Sequence, residues 1–351
     1  MRKVKWVLLG LLGVVLVYGI VSMVIVAVVY GGQFPRYDRP DMSVSVGLRY
    51  EDLEEDYPRE LLSFMSGDNL LQGYVYGVGQ DRGLVVLAHG IGGGADSYLS
   101  QISYFVDQGW CVFAYDASGS FDSEGKSTKG FPQGLLDLRA ALDFIGGEES
   151  LSSLPVLLFG HSWGGYAVAN VLHFGYDVVG VVSVSGADSS LEMITEQGRR
   201  MMGGFIDFQV PFLGFYEWLL FGNVASLKGS EAIFGSDVPV LVIHGRDDEF
   251  VSYDGVSIFS KVEGSSEGNV RSLLLSEPGR SGHSDLFDSL SSLEYINEIN
   301  VVYGELYKEY DEKIPYEVKQ DFYAGVDRFL ANGLDLGLMG EVNSFFLECV
   351  E

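Results

Sequence analysis

The chain has 351 residues, 47% of them hydrophobic and 20% charged, with a formal net charge of -27 at pH 7. That apolar content supports a large core, in one large α/β domain or two ordinary ones, and excludes a disordered chain. The acidity leaves no basic stripe to neutralise phosphates, which argues against a nucleic-acid partner, and two cysteines, Cys111 and Cys349, exclude a disulfide framework.

The amino terminus carries Arg2, Lys3 and Lys5 and then no charge until Arg36. From Trp6 to Tyr30 an uncharged helix would measure about 37 Å, enough to cross a hydrocarbon layer of about 30 Å with some tilt. A cleaved signal peptide competes with this reading, but the apolar stretch is longer than an ordinary signal core and "IVAVVYGG" offers no small-x-small cleavage site. The expected organisation is therefore a cytoplasmic tip and membrane anchor over residues 1–35, followed by a domain over 36–351 on the far side, because basic flanks stay in the cytoplasm. Trp6 and Tyr30 are expected at the two interfaces.

Beyond residue 40, "RELLSFMSGDNLLQGYVYG" alternates apolar and polar residues about a turn and predicts a β-hairpin. "GLVVLAHG" predicts a buried strand, residues 96–108 a helix, "WCVFAYDASGS" a strand, "GLLDLRAALDFI" a helix and "LPVLLFG" a strand. "WGGYAVANVLHFG" predicts a helix, and "VVGVVSVSG", "VPVLVIHG" and "VRSLLLSEPG" predict strands. This rhythm implies an α/β fold with a mostly parallel sheet covered on both faces, whose active groups gather on loops at the carboxyl ends of strands.

Gly160-His161-Ser162-Trp163-Gly164 falls at a strand-to-helix turn and matches Gly-x-Ser-x-Gly. The glycines permit a sharp turn that holds the hydroxyl clear of the sheet, at a helix amino terminus that favours developing negative charge. A nucleophilic serine needs a base. Of the five histidines, His161 adjoins the serine at a tight turn, His173 lies in a predicted helix, and His89 and His244 end strands, so structural roles fit all four. His283, in the glycine-flanked "EPGRSGHSDLF", lies downstream on a loop at the right sheet edge. An orienting acid is offered by "VLVIHGRDDEFVS" in Asp247 and Asp248; Asp237 also lies between serine and histidine, and Asp285 reads better as a loop or cap residue. The glycines of "LAHGIGGGADS" free backbone amides to face the serine, with Ile91 and Trp163 as the expected oxyanion donors. The same glycines lack the pattern of a dinucleotide or P-loop site. No metal or cofactor is expected.

Together, "SGDNLLQGYVYG", "LAHGIGGG", "YDASGSFDSEGKSTKGFPQGLLDLRAAL", "GHSWGG", "HGRDDEFV" and "GHSD" resemble an α/β-hydrolase of the serine aminopeptidase S33 and monoacylglycerol-lipase-like group, over residues 60–290. The resemblance implies an α/β-hydrolase fold with Ser162 as nucleophile and His283 as general base and then acid. It implies Asp248 as the acid, placed four residues after the His of His-Gly and three before Val251. The loop "DASGSFDSEG" departs from the group in lacking an arginine after the aspartate, and the carboxyl-terminal extension, residues 291–351, lies outside the common core.

A lid is expected over residues 189–235, rich in Phe205, Phe208, Phe212, Phe215, Tyr216 and Trp218. An apolar lid suits an acyl chain or lipid ester, whereas its acids Glu192, Glu196, Asp207 and Glu217 offer partners for a substrate amine. The carboxyl-terminal helices are expected to pack against the sheet or the lid. The reading is a membrane-anchored serine hydrolase that cleaves a carboxylic ester through an acyl-enzyme and takes a small acyl substrate. Its alternatives are an aminopeptidase and a catalytically silent binding protein.

Overall fold

A computed structural model describes residues 2–265 and 267–351. Its centre is an eight-stranded sheet: β1 (Arg59–Ser66), β2 (Asn69–Tyr76), β3 (Leu84–Ala88), β4 (Cys111–Tyr115), β5 (Val156–His161), β6 (Val178–Val184), β7 (Val240–Gly245) and β8 (Val270–Leu275). The spatial order is β1-β2-β4-β3-β5-β6-β7-β8. β1 and β2 form the expected hairpin, and β2 joins β4 antiparallel. All later neighbours are parallel.

The continuous apolar runs follow from burial on both faces. Alternate residues of β3 enter different cores: Leu84, Val86 and Ala88 join one, Val85 and Leu87 the other. The first core is closed by α3 (Phe131–Gly147), α4 (Trp163–Asn170) and α8 (Ile258–Val262) through residues such as Leu138, Tyr166 and Phe259. The second is closed by α2 (Leu99–Asp107), which follows a short 3-10 turn at Ala95–Tyr98, and by α12 (Leu336–Val350), through Phe105 and Phe346. The last helix of the chain thus packs on the sheet, as expected. α9 (Leu290–Glu309), α10 (Tyr316–Ala324) and α11 (Arg328–Ala331) connect to it. Cys111 belongs to the first core and Cys349 packs against the second, so the sheet separates the two free thiols.

The expected lid consists of α5 (Ser190–Met202), a 3-10 turn at Gly203–Phe208, α6 (Val210–Phe221) and α7 (Gly229–Phe234). α1 spans Arg2–Gln33, beyond the expected limits at both ends, and is long and apolar enough to cross a membrane. Most of it is exposed, but Ser22, Val26 and Tyr30, spaced four apart on one stripe, are buried. Tyr18 continues the stripe: its hydroxyl donates to the Phe208 carbonyl at 3.3 Å, and its ring meets Phe212 edge-on at 5.6 Å.

Tyr30 is buried: it packs edge-on against Tyr216 of α6 at 5.3 Å and donates to Glu217 at 3.1 Å. Side chains of one helix face share the same neighbour, and here that neighbour is α6.

Candidate active site

β5 ends at His161 and α4 begins at Trp163, leaving Ser162 as the whole turn, with φ 56° and ψ -112°. A positive φ strains a non-glycine residue. The flanking glycines are required by space rather than by flexibility: a Cβ on Gly160 would lie 2.3 Å from the Gly164 carbonyl oxygen, and one on Gly164 would lie 1.9 Å from that of Ala88. The serine amide donates to Val184 of β6 at 2.8 Å, which fixes the turn to the sheet.

Ser162 Oγ lies 2.8 Å from His283 Nε2, and His283 Nδ1 lies 2.8 Å from Asp248 Oδ2. The residues come from three separate loops and form one hydrogen-bonded line. Asp248 Oδ1 accepts from the amides of Phe250 and Val251 at 2.9 and 2.8 Å, which fixes its rotamer. Burial pushes the Asp248 carboxyl up, but the His283 hydrogen bond and charge, with the Val251 amide, more than offset this and leave its pKa below the usual value. Asp247 turns elsewhere and accepts from Ser281 Oγ at 2.5 Å. Asp285 accepts from the Gly282 amide at 2.7 Å, the loop role expected of it.

The other histidines hold the frame. His89 donates through Nδ1 to the Gly90 carbonyl at 2.7 Å and accepts at Nε2 from the Ala117 amide at 2.9 Å. Burial lowers its pKa to about 4, so it is neutral. His244 donates to the Val251 carbonyl at 2.9 Å. His173 contacts the Lys228 carbonyl at 3.0 Å from a 3-10 turn, Val171–Phe174, where a regular helix was expected. His161 is neutral too, its pKa lowered to about 3 by burial and by His283.

His161 makes a connection that single-residue reading misses. Its Nε2–H donates to the backbone carbonyl of His283 at 2.9 Å, and its Nδ1 accepts from the Tyr98 hydroxyl at 2.7 Å. Tyr98 in turn accepts from the Gly90 amide at 2.9 Å. The chain Gly90–Tyr98–His161–His283 thus ties the glycine loop to the histidine loop behind the serine. The only sequence signal was a histidine at the second position of the Gly-x-Ser-x-Gly turn.

The glycine loop lies directly against the serine: a Cβ on Gly90 would stand 3.4 Å from Ser162 Cβ. Trp163, first in its helix, has no intrahelical acceptor for its amide. Among the described residues, the Ile91 amide also donates to no backbone acceptor. A cavity of about 330 Å³ is lined by Ile91, Ser162 and His283 together with the polar Gln101, Asp288 and Asn332.

Residues 79–212 match the family described as serine aminopeptidase, S33, a segment that includes Ser162 and ends before Asp248 and His283. An esterase from Pyrococcus furiosus superposes with a TM-score of 0.53 at 18% identity, covering 79% of this chain and 98% of its own. A second crystal form of that esterase gives 0.53 at 19%, covering 78% and 98%. Est1E from Butyrivibrio proteoclasticus, with ferulic acid bound, gives 0.48 at 17%, covering 68% and 95%. No curated protein matches the sequence. The chain has the α/β-hydrolase fold. As in α/β-hydrolases generally, the loops that carry its candidate residues leave the carboxyl ends of parallel strands.

The acids of residues 189–235 expected to offer partners for a substrate amine are engaged within the chain itself. Glu192 pairs with Lys228 at 2.6 Å and Glu196 with Arg200 at 2.7 Å, while Asp207 pairs with Arg199. Glu217 accepts from Tyr30 and Ser190. Of the lid aromatics, Phe205, Phe208, Phe215 and Trp218 are exposed, whereas Phe212 and Tyr216 pack on the first core.

Proposed function

We propose that this chain, with its α/β-hydrolase fold, is a serine hydrolase that cleaves carboxylic esters and is held to a membrane by α1. The observation that carries the reading is the line Asp248–His283–Ser162, with both gaps at 2.8 Å, beside the amides of Ile91 and Trp163. His283 Nε2 takes the Ser162 proton as Oγ attacks the acyl carbon. Asp248, accepting from Nδ1–H, holds the tautomer and stabilises the imidazolium that forms. The two amides receive the oxyanion, and each such donor is worth roughly 3 kcal/mol in comparable sites. Collapse expels the alcohol, which leaves with the proton from His283. Water then gives its proton to His283, attacks the acyl carbon and releases the acid, and the proton returns to Ser162 Oγ.

The engaged lid carboxylates favour an ester over an amide bearing a free amine. The basic residues Arg2, Lys3 and Lys5 favour a cytoplasmic amino terminus and an extracytoplasmic catalytic domain.

A fluorophosphonate probe tests the chemistry. Labelling of the wild type but not of Ser162→Ala supports it, and an unlabelled wild type points to a silent protein on the same scaffold. A panel of acyl esters beside aminoacyl amides then tests the substrate, where preference for free-amine amides would make the chain an aminopeptidase. Protease accessibility in sealed vesicles tests the orientation.

A further inference from the structure

The length of helix that stands clear of the folded domain sets the depth of the lid. The first hydrogen bond and aromatic contact between α1 and the lid are at Tyr18, and the apolar side chains from Trp6 to Val17 are exposed. Excluding the charged tip, the free part from Trp6 to Val17 is about 18 Å long at 1.5 Å per residue. A hydrocarbon layer is about 30 Å thick. The missing 12 Å or so must come from residues 18–25, which run beside the lid, and any tilt increases the shortfall. If α1 spans, the lid surface around Phe208 and Phe212 therefore reaches hydrocarbon depth. Its composition agrees: Phe205, Phe208, Phe215, Trp218 and Leu219 are each at least half exposed, an apolar surface that water would not favour.

Between α1 and the lid lies a second cavity, of about 290 Å³. Ile25, Val26 and Val29 of α1 line one side, and Met193, Ile194 and Leu213 of the lid line another. Its lining residues Ile25, Val29 and Met201 remain exposed, so the cavity is open to its surroundings. It also borders the cavity that holds Ser162. Ile91 lines both this cavity and the polar one that contains Ser162, and Phe250, another lining residue, has its ring 5.1 Å from the His283 ring.

The geometry points to the amino-terminal helix being part of the acyl-binding site. Its last turns and the lid enclose a channel whose mouth, at Ile25, lies at the outer boundary of the hydrocarbon layer, and through it the acyl chain of a membrane-resident ester passes to Ser162. The alcohol part of the ester occupies the polar cavity lined by Gln101, Asp288 and Asn332. This assignment rests on the proposed function, since it takes Ser162 as the reacting group and α1 as a span.

Two measurements on the full chain in phosphatidylcholine vesicles test it. The first places an environment-sensitive fluorophore at Phe208→Cys, in a Cys349→Ser background, with Glu54→Cys as the surface reference. Doxyl-labelled lipids should quench position 208 at least twofold more than position 54; equal quenching overturns the lid's depth, whether or not the enzyme is active. The second compares labelling of Ser162 by hexadecyl and ethyl fluorophosphonates. Ile25→Trp and Met201→Trp, which fill the channel from opposite sides, should each lower the hexadecyl-to-ethyl ratio tenfold or more, while Leu12→Trp in the free part of α1 keeps the wild-type ratio. A ratio unchanged in both channel variants overturns the route while leaving the hydrolase reading intact. Labelling of wild-type Ser162 by the ethyl probe alone overturns the route and leaves the hydrolase reading intact, whereas labelling by neither probe sinks the hydrolase reading and the route with it.

Discussion

His161 donates from Nε2 to the carbonyl oxygen of His283 at 2.9 Å, so the residue before the elbow serine holds the backbone of the residue that serves it. Through Tyr98, the same side chain also steadies Gly90 of the glycine loop. Parts of the site separated by more than a hundred residues are thus held by a few neutral, buried hydrogen bonds, which are costly to break because water cannot replace them.

Tyr98→Phe should therefore loosen the loops without touching substrate. The expected outcome is a fall in kcat of about tenfold, little change in KM, and a loss of roughly 1–3 kcal/mol of stability from the stranded Gly90 amide and His161 nitrogen. Steady-state kinetics and thermal unfolding check it; a wild-type kcat would show that the link has no catalytic consequence.

The two neighbouring aspartates should behave differently. Asp248→Asn should lower kcat by about 10⁴-fold, because the amide favours the wrong imidazole tautomer. Asp247→Asn at most weakens the bond it accepts from Ser281 and should keep activity within about tenfold of wild type. Comparable losses in both variants would reassign the acid.

Ser162 stores strain that a glycine would release. Ser162→Gly should be inactive yet more stable than wild type by roughly 1 kcal/mol, since glycine adopts positive φ at low cost. Gly164→Ala should do the reverse. Its Cβ would collide with the Ala88 carbonyl, and the shift required should cost about 3 kcal/mol or more, seen as a lowered Tm or loss of folded protein.

Asp288 supplies a pH dependence. Burial, helped by Asp285, pushes its carboxyl up from the usual value to about 7. A folded pKa above the unfolded one means that the folded protein holds the proton more tightly, so this group's contribution is fully present below about pH 4 and is lost as pH rises through 7. Asp288→Asn should then raise Tm relative to wild type at pH 8 by about 2 °C or more, with no such gain at pH 4. Thermal unfolding at the two pH values decides; an equal effect at both would mean that the carboxyl does not titrate in this range.

Much of the site was legible because its chemistry needs particular residue types in a fixed chain order. A serine between glycines at a strand end, a later histidine on a loop and an acid after His-Gly narrow the choice sharply. What remained open between Asp247 and Asp248 was a matter of direction: adjacent residues in a loop point different ways, and only the amides of Phe250 and Val251 fix which carboxylate meets the imidazole. Tyr98 was invisible for a related reason, since nothing in "GADSYLS" shows that its hydroxyl reaches His161, 63 positions away.

Local periodicity and composition were enough to determine the alternation of strands and helices, burial of the sheet on both faces, and a long apolar helix at the amino terminus, because each depends on neighbours within a few residues. The partner of that helix was decided only by tertiary structure. Apolar residues surround α1 on every side, so no pattern along it marks Ser22, Val26 and Tyr30 as the stripe that meets the lid. Which face is buried depends on the shape and hydrogen-bonding groups of α6, nearly two hundred residues away, where Glu217 receives the Tyr30 hydroxyl.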